Sequence, residues 1–389
     1  MMGIDSIMIL VVGLFSLVPF VVAIWNFIYL KKPALIFEDV HSVEKELSVT
    51  VLIPARNEEE NIGRVLSSLR EQTYINYDVI VLNDRSEDDT AMVVNQFLDT
   101  DLSIQLIEGV PTPVGWLGKH WACHQLSSKA RGDYWLFMDA DTVLDRDAIR
   151  AAIDEAMLEE SDLLTMIPLR SANSFIERGL YGFIDWAIFA WLPLQVAHWS
   201  KRSYLSASYG QFMLFKNKSY LAIGGHEKIK DIAVDDFGLG RLIKKAGLYW
   251  TLKDGTHMVT ALPYSGLWES VKGVSRSLAP ALNYSFSLVA LISIGLIVLF
   301  FVPVLYLYLG LTEKDYFGYA FFLSLSSTLF LIGSYLVSCK KFSHSSLIIP
   351  FIHFTVIFMI LIAFHSLLSN IFRFATWKNR NMVNRKIKL

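Results

Sequence analysis

Cysteine is almost missing from this 389-residue chain, which has only Cys123 and Cys339. Two thiols so far apart give no disulfide framework and none of the close Cys or His spacings of a structural metal site. A reducing compartment fits. A charge of one sign is lacking too: 35 Lys and Arg face 37 Asp and Glu, a formal net charge of -2. No general attraction to nucleic acid or to an acidic polymer is therefore expected, and partners must be argued locally. Apolar residues are in excess at 53%, too many for a wholly soluble chain.

Residues 7–30 form an almost uncharged apolar run of the roughly 20-residue length that crosses a bilayer, followed at once by Lys31 and Lys32. A cleaved signal peptide would carry a basic residue before the run and a small-residue cleavage site after it, so an N-terminal anchor is expected instead. Three further runs, 286–309, 317–338 and 347–372, are each near spanning length. Basic residues stay on the cytosolic face. Lys31 and Lys32, with Lys340 and Lys341, therefore place the intervening domain on the cytosolic side of a multi-pass protein of the cell membrane. The tail at 373–389 carries Arg373, Lys378, Arg380, Arg385, Lys386 and Lys388 and also wants the cytosol, which three complete C-terminal spans would forbid. One run is thus expected not to cross. The last, 286–372 being the C-terminal membrane region and His353 and His365 lying in its final run, is the first candidate for a re-entrant or interfacial path.

Between the membrane runs, 47–285 reads as an ordinary globular domain. Short apolar runs at 49–53, 78–82, 103–107, 134–138 and 163–167 are expected strands, continuous enough to be buried on both faces. Stretches at 58–72, 90–98, 120–130 and 147–159 have helical periodicity, with acidic residues at several N-terminal ends. This alternation is an α/β pattern, a mostly parallel sheet with helices on both sides. Ligands bind such sheets beyond the carboxyl ends of their strands, and the polar clusters fall there: Pro54, Ala55, Arg56, Asn57 and Glu58 after the first strand, Asn83 and Asp84 after the second, Asp139 and Asp141 after the fourth.

Asp139-Ala140-Asp141 places two carboxylates two residues apart at a strand end, where they point the same way. Either they are solvated turn acids or they hold Mg2+ or Mn2+, ions that take one or two carboxylates and fill their remaining positions with water and phosphate oxygens. Asp84 lies in Asn83-Asp84-Arg85-Ser86-Glu87-Asp88-Asp89-Thr90, rich in acceptors for a base or a ribose; Asp88 and Asp89 read as caps of the next helix. Lys119, in Gly115-Trp116-Leu117-Gly118-Lys119, is either a solvated cation or one set near a helix start to meet phosphate. Asp235 and Asp236 open a helix ending about Ala246, where acids gather for dipole reasons and where one can also serve as general base.

Taken together, these stretches resemble the family 2 glycosyltransferases over roughly 47–281. The resemblance implies a GT-A fold, the Rossmann-like nucleotide-diphospho-sugar transferase architecture, and inverting transfer. It implies that the segment matching Pro54 to Glu58 and the aspartate matching Asp84 contact the nucleotide, that Asp139 and Asp141 hold metal and donor, and that Gly118-Lys119 lies near the diphosphate. Asp236 matches the base; Asp235 stands where glutamate is more usual. Gly115 to Ala122 and Ile223-Gly224-Gly225-His226 look most like the hopanoid-associated and diaponeurosporenoate (carotenoid) glycosyltransferases, and Trp377-Lys378-Asn379-Arg380 resembles an element of related membrane members. Such relatives imply a lipid acceptor. The Gln-X-X-Arg-Trp motif of processive polysaccharide synthases is absent; Gly273-Val274-Ser275-Arg276 stands in its approximate place, making Arg276 either a diphosphate or acceptor contact or a membrane-surface arginine. UDP-glucose is the donor to test first, since the residues fix neither base nor sugar.

The stretch 175–199 is unusually aromatic yet contains Glu177, Arg178, Asp185 and Gln195. It reads as a helix at the bilayer interface or as a core helix of the domain, with the two left open. Trp199 at its end and His226 are candidate acceptor contacts, although a histidine after two glycines also suits a turn. Two other functions remain open beside lipid glycosylation: a processive polysaccharide synthase, and a non-catalytic nucleotide-sugar-binding membrane scaffold.

Overall fold

The computed structural model describes residues 4–35, 47–98, 102–313, 318–372, 376–377 and 380–381. Its strands are β1 (Val49–Ala55), β2 (Tyr77–Asn83), β3 (Ile104–Glu108), β4 (Tyr134–Phe137), β5 (Thr142–Leu144), β6 (Leu163–Ile167), β7 (Leu169–Arg170), β8 (Met213–Lys216), β9 (Trp250–Asp254), β10 (Val259–Ala261), β11 (Thr376–Trp377) and β12 (Arg380–Asn381). Its helices are α1 (Ile4–Tyr29), α2 (Ile62–Arg70), α3 (Thr90–Asn95), α4 (Gly118–Ser127), α5 (Ala148–Leu158), α6 (Phe175–Trp191), α7 (Leu194–Trp199), α8 (Asn217–Ala222), α9 (Asp235–Lys245), α10 (Leu267–Ala281), α11 (Phe286–Thr312), α12 (Tyr319–Lys341) and α13 (Ile352–Ile371).

The central sheet has the order β3-β2-β1-β4-β8-β6-β9. Pairing is parallel from β3 through β4 and between β6 and β9, whereas β8 runs antiparallel to both β4 and β6. Successive residues of a strand face opposite ways, and here they enter two different cores. Leu52, Ile80, Leu82, Trp135 and Phe137 join a cluster that continues into α6 and the long apolar helices. Val51, Ile53, Val79, Val81 and Leu136 meet α2 and α5 on the other side. That double burial explains why the strands lack polar alternation.

Each expected strand is present with its ends shifted by no more than two residues, and β1 itself extends through Pro54 and Ala55, which pair with Leu82 and Asn83. The four expected helices all end earlier than expected; α2 and α5 also start later, α3 starts at the expected Thr90, and α4 starts two residues early, at Gly118. β8 was not expected: four residues long and paired only with strands far away in sequence, it has no local signature. A small second sheet, β5-β10-β7, places Thr142, Ala261 and Arg170 in one row.

Among the described residues, four helical segments are long and apolar enough to cross a membrane: Ile7–Tyr29, Phe286–Thr312, Tyr319–Lys341 and Ser346–Ile371. Phe317, at the start of one expected run, lies outside the described residues, as does the tail beyond 372 apart from the β11–β12 hairpin. α1 and α12 run alongside each other, with Gly13 facing Ser327 and Gly333 facing Phe20. At their shared end Lys341 Nζ bonds the carbonyl of Leu30 (2.5 Å) and pairs with Asp254 Oδ2 at 3.3 Å. Both helices therefore finish against the sheet domain.

α6 starts with a capping box made by Ser174 and Glu177. Tyr181, Phe183, Trp186 and Phe189 are buried, and Trp186 Nε1 donates to Ser334 Oγ of α12 at 2.9 Å. The helix thus lies between the sheet domain and the apolar helices, combining features of both readings made from its sequence.

Candidate active site

Two loops at the carboxyl edge are stitched into one surface. The N–H of Asp84 donates to the carbonyl of Ala55 (2.7 Å). Arg56 Nη1 donates to the carbonyls of Asp84 (2.9 Å) and Arg85 (2.6 Å), and its Nη2 lies 3.0 Å from Glu87 Oε1. Asn57 Oδ1 accepts from the N–H of Glu87 (2.9 Å), and the N–H of Glu58 donates to Thr90 Oγ1 (2.8 Å). Asn57 takes a positive φ of 51°, a conformation asparagine tolerates better than most residues. The buried guanidinium of Arg56 therefore shapes the 84–87 loop. Asp88 Oδ1 accepts from the N–H of Thr90 (3.1 Å), whereas Asp89, at the N-cap position of α3, makes no side-chain cap bond.

A second cluster forms where β4, α4 and α9 meet. Lys119 Nζ lies 2.8 Å from Asp139 Oδ1 and 3.0 Å from Asp235 Oδ2. Asp236 accepts from the N–H of Phe237 (2.6 Å) and from the N–H of Gly210 (3.1 Å). A Cβ at Gly210 would lie 3.3 Å from Lys119 Nζ and 3.8 Å from both Asp139 Oδ2 and Asp236 Oδ2. A side chain there would make the ammonium give way by a few tenths of an ångström while touching both carboxylates at ordinary contact distance.

Charge separates the two neighbouring acids. Burial opposes ionisation of Asp235, but Lys119 and then His120 outweigh it and hold this carboxyl well below the usual range. Burial and the adjacent Asp235 charge push Asp236 up to about 7. Burial also works against the Lys119 ammonium, yet Asp139 and Asp235 keep it firmly charged. Two acids driven apart in this way, one ionised and one poised near neutrality, are suited to proton transfer.

Asp141 and Asp236 stand on the wall of a cavity of about 1000 Å³. It continues past Tyr209, Gln211 and Tyr264, between α6, α10, α11 and α13, to Val11 and Phe15 of α1. Its far end is lined almost wholly by aliphatic and aromatic side chains. Tyr209, Gln211 and Tyr264 escaped sequence analysis because they lie in irregular connections; the only local signal is a glycine between Tyr209 and Gln211.

Gly273 and Val274 line this cavity, while the half-buried Arg276 acts electrostatically on Tyr264. Neither expected acceptor contact lines it. His226 is fully buried, with Nδ1 bonded to the Tyr220 hydroxyl (2.7 Å) and its ring edge-on to His120; its aromatic neighbours hold it in the core behind Asp235. Trp199 is 74% exposed on the outer surface, at the end of α7.

Asp139 and Asp141 offer carboxylate oxygens at one strand end, a donor set that fits Mg2+ or Mn2+ supplemented by phosphate and water. Among the described residues no group of three or more His, Cys, Asp or Glu side chains is placed to hold an ion without such supplements.

Residues 50–214 match the family model described as glycosyl transferase family 2. Over 253 residues the chain is 30% identical to the 4,4'-diaponeurosporenoate glycosyltransferase of Staphylococcus aureus (strain bovine RF122 / ET3-1), covering 61% of this chain and 64% of that protein. The match thus spans less than two thirds of the relative's length. The mannosyltransferase PcManGT from Pyrobaculum calidifontis, solved in complex with GDP-Man and Mn2+, shares 16% sequence identity and a TM-score of 0.56, covering 95% of this chain and 99% of that one. This likeness shows the fold. Residues 50–214 are therefore similar to family 2 glycosyl transferases and lie on a GT-A fold, and among the described residues that fold is joined to four helices of membrane-spanning length.

Proposed function

We propose that this chain transfers a sugar from a nucleoside diphosphate sugar to a lipid acceptor, inverting the anomeric centre in a single displacement. The observation that carries this reading is the continuity of the cavity, which has Asp141 and Asp236 at one end and the middle of α1 at the other. An acceptor with a long apolar chain could lie among the helices while its head reaches the acids. A growing polysaccharide would want a polar channel, so the apolar lining favours a lipid.

The stitched 54–58 and 84–90 loops would bind the nucleotide, and Lys119 would face the diphosphate. Asp236 would take the proton of an acceptor hydroxyl as its oxygen bonds to the anomeric carbon. The bond from that carbon to the diphosphate oxygen breaks, and the nucleoside diphosphate leaves with the electron pair. Asp139 and Asp141 would hold Mg2+ or Mn2+, which when bound offsets negative charge on the diphosphate. UDP-glucose is the first donor to test. The name of the S. aureus relative supports an acceptor like diaponeurosporenoate, a carotenoid, and a hopanoid-related lipid is the other acceptor to test.

The domain is proposed to face the cytosol. α13 supports a last run that does not cross: His353 near its start bonds the carbonyl of Phe300 in mid-α11, while His365 and Ser366 near its end bond Ser275 and Ala279 of α10. Since α10 follows β10 directly and its Ser270 bonds Glu177 at the start of α6, α13 would return towards the side where α12 ended.

The reading is tested with protein in lipid, Mg2+ or Mn2+, and panels of nucleotide sugars and lipid acceptors. A glycosylated lipid that disappears in Asp141→Ala and Asp236→Asn supports it. Donor binding without turnover over a broad acceptor panel would favour the scaffold reading.

A further inference from the structure

Among the described residues, the charged lining of the cavity consists of Asp141, Asp236 and a single basic residue, Arg170. The sequence gives it no motif; it is the second residue of a two-residue strand. Yet β7 brings it to the reacting end. Arg170 pairs with Ala261, and Ala261 with Thr142, the residue after Asp141. The N–H of Leu262 donates to the carbonyl of Asp141 at 2.8 Å. Two strand spacings of about 4.8 Å therefore separate the backbone of Arg170 from the Asp141 segment.

The guanidinium is held on two sides. Its Nη1 bonds Asp185 Oδ1, and Asp185 Oδ2 accepts from His344 Nε2 at 2.8 Å. The Tyr209 ring lies beneath it, with 5.5 Å from guanidinium carbon to ring centroid. The next residue after Tyr209 is Gly210, whose N–H bonds Asp236. An arginine fixed by a buried carboxylate and an aromatic face keeps further N–H donors in a planar fork, suited to the two oxygens of a carboxylate or phosphate. Asp185 meets Arg170 through Oδ1 alone, its Oδ2 being taken by His344, so the carboxylate does not occupy the whole guanidinium fork. Placing a guanidinium on a largely apolar wall is costly without such a ligand, and an anionic head beside Asp141 and Asp236 would be repelled without such a cation.

We propose that Arg170 anchors the acceptor head, and that the cavity takes amphiphiles whose head carries, beside the hydroxyl that Asp236 deprotonates, an anionic oxygen group, carboxylate or phosphate, on a long apolar chain. This rests on the reading of the cavity as the acceptor site. Arg170 acts by binding and orienting; the alternative role is a purely structural tie between β7 and α6.

The test uses the full chain in lipid nanodiscs and a hexadecanoic acid bearing a photoreactive diazirine, so that binding is read without turnover. Labelling is expected on α6, α10 or α11. Hexadecanoic acid or hexadecyl phosphate should protect at concentrations at which hexadecanol does not, and whichever acid protects at the lower concentration identifies the head. Arg170→Gln should weaken probe binding about tenfold or more, the scale of a charge-assisted contact, with nucleotide-sugar binding unchanged; Arg170→Lys should recover part of the loss. Equal protection by hexadecanol in the wild-type protein, or no specific labelling, overturns the inference whether or not the variants fold. Arg170-dependent acid binding without transfer to any lipid acceptor would instead remove the transferase reading and leave the anionic-head site standing. Transfer to hexadecanol with no binding of either acid would do the reverse.

Discussion

Lys119 Nζ lies 3.0 Å from Asp235 Oδ2, pinning the start of α4 to the start of α9. The same ammonium reaches Asp139 at 2.8 Å, so one cation joins the acids after β4 to those that open α9. Replacing it with methionine leaves Asp235 and Asp139 without this partner and removes positive charge from the proposed diphosphate site. Lys119→Met is expected to lower kcat/KM about 10²-fold or more, the scale of a lost electrostatic contact in a transition state. The acidic limb of its pH profile should also move to higher pH, because Lys119 is one of the groups holding Asp236 down.

With Asp236 raised to about 7, the fraction able to accept a proton grows through neutrality. For a hydroxyl acceptor, kcat/KM should climb about tenfold per pH unit below that value and level off above it. The stability effect has the opposite sense. The folded pKa lies above the unfolded one, so the contribution of Asp236 is fully favourable below the unfolded value and is lost as pH rises through about 7. Asp236→Asn should therefore abolish transfer yet melt at or above the wild-type temperature at pH 8, with less advantage at pH 5. Scanning calorimetry at both pH values checks this.

Gly210 leaves room for Lys119 and both acids, and an added Cβ would stand 3.3 Å from Nζ. Gly210→Ala should fold, with a stability change of about 1 kcal/mol, while activity falls by a larger factor through displacement of the ammonium. Thermal melting and initial rates measured on one preparation separate the two effects.

Chelation of divalent ions should stop transfer, and Mg2+ or Mn2+ should restore it. Asp141→Ala should weaken Mn2+ binding in the presence of donor, read by electron paramagnetic resonance without reference to turnover. Retained tight Mn2+ binding would count against Asp141 as a ligand.

A cysteine placed after Lys388 should resist a membrane-impermeant thiol reagent applied outside intact cells and react after permeabilisation, if α13 returns to the side of the sheet domain. Rapid labelling from outside would require a complete third C-terminal span.

The sheet and the acids at its edge were legible because their signals are local. Val49–Ala55 and Tyr134–Phe137 are apolar runs buried on both faces, and Asp139, Asp141, Asp235 and Asp236 follow or begin regular elements. Arg170, Tyr209, Gly210 and Gln211 were not legible. They reach the site through a two-residue strand and the irregular chain before β8, whose pairings are non-local. His226 misled for a related reason: Gly224-Gly225 suggests an exposed turn, but Tyr220, Phe137 and His120 bury the ring.

The most direct measurement follows a radiolabelled nucleotide sugar with the full chain in bilayers and Mn2+, partitioning the products between water and organic solvent. The expected result is label in the organic phase, carried by single sugars on a lipid, dependent on Asp236 and blocked when Ser277→Trp, at a cavity-lining position of α10, fills the cavity without loss of donor binding. Label confined to water as free sugar or polymer, or an organic product that persists in Asp236→Asn and Ser277→Trp, would contradict a lipid acceptor seated in this cavity.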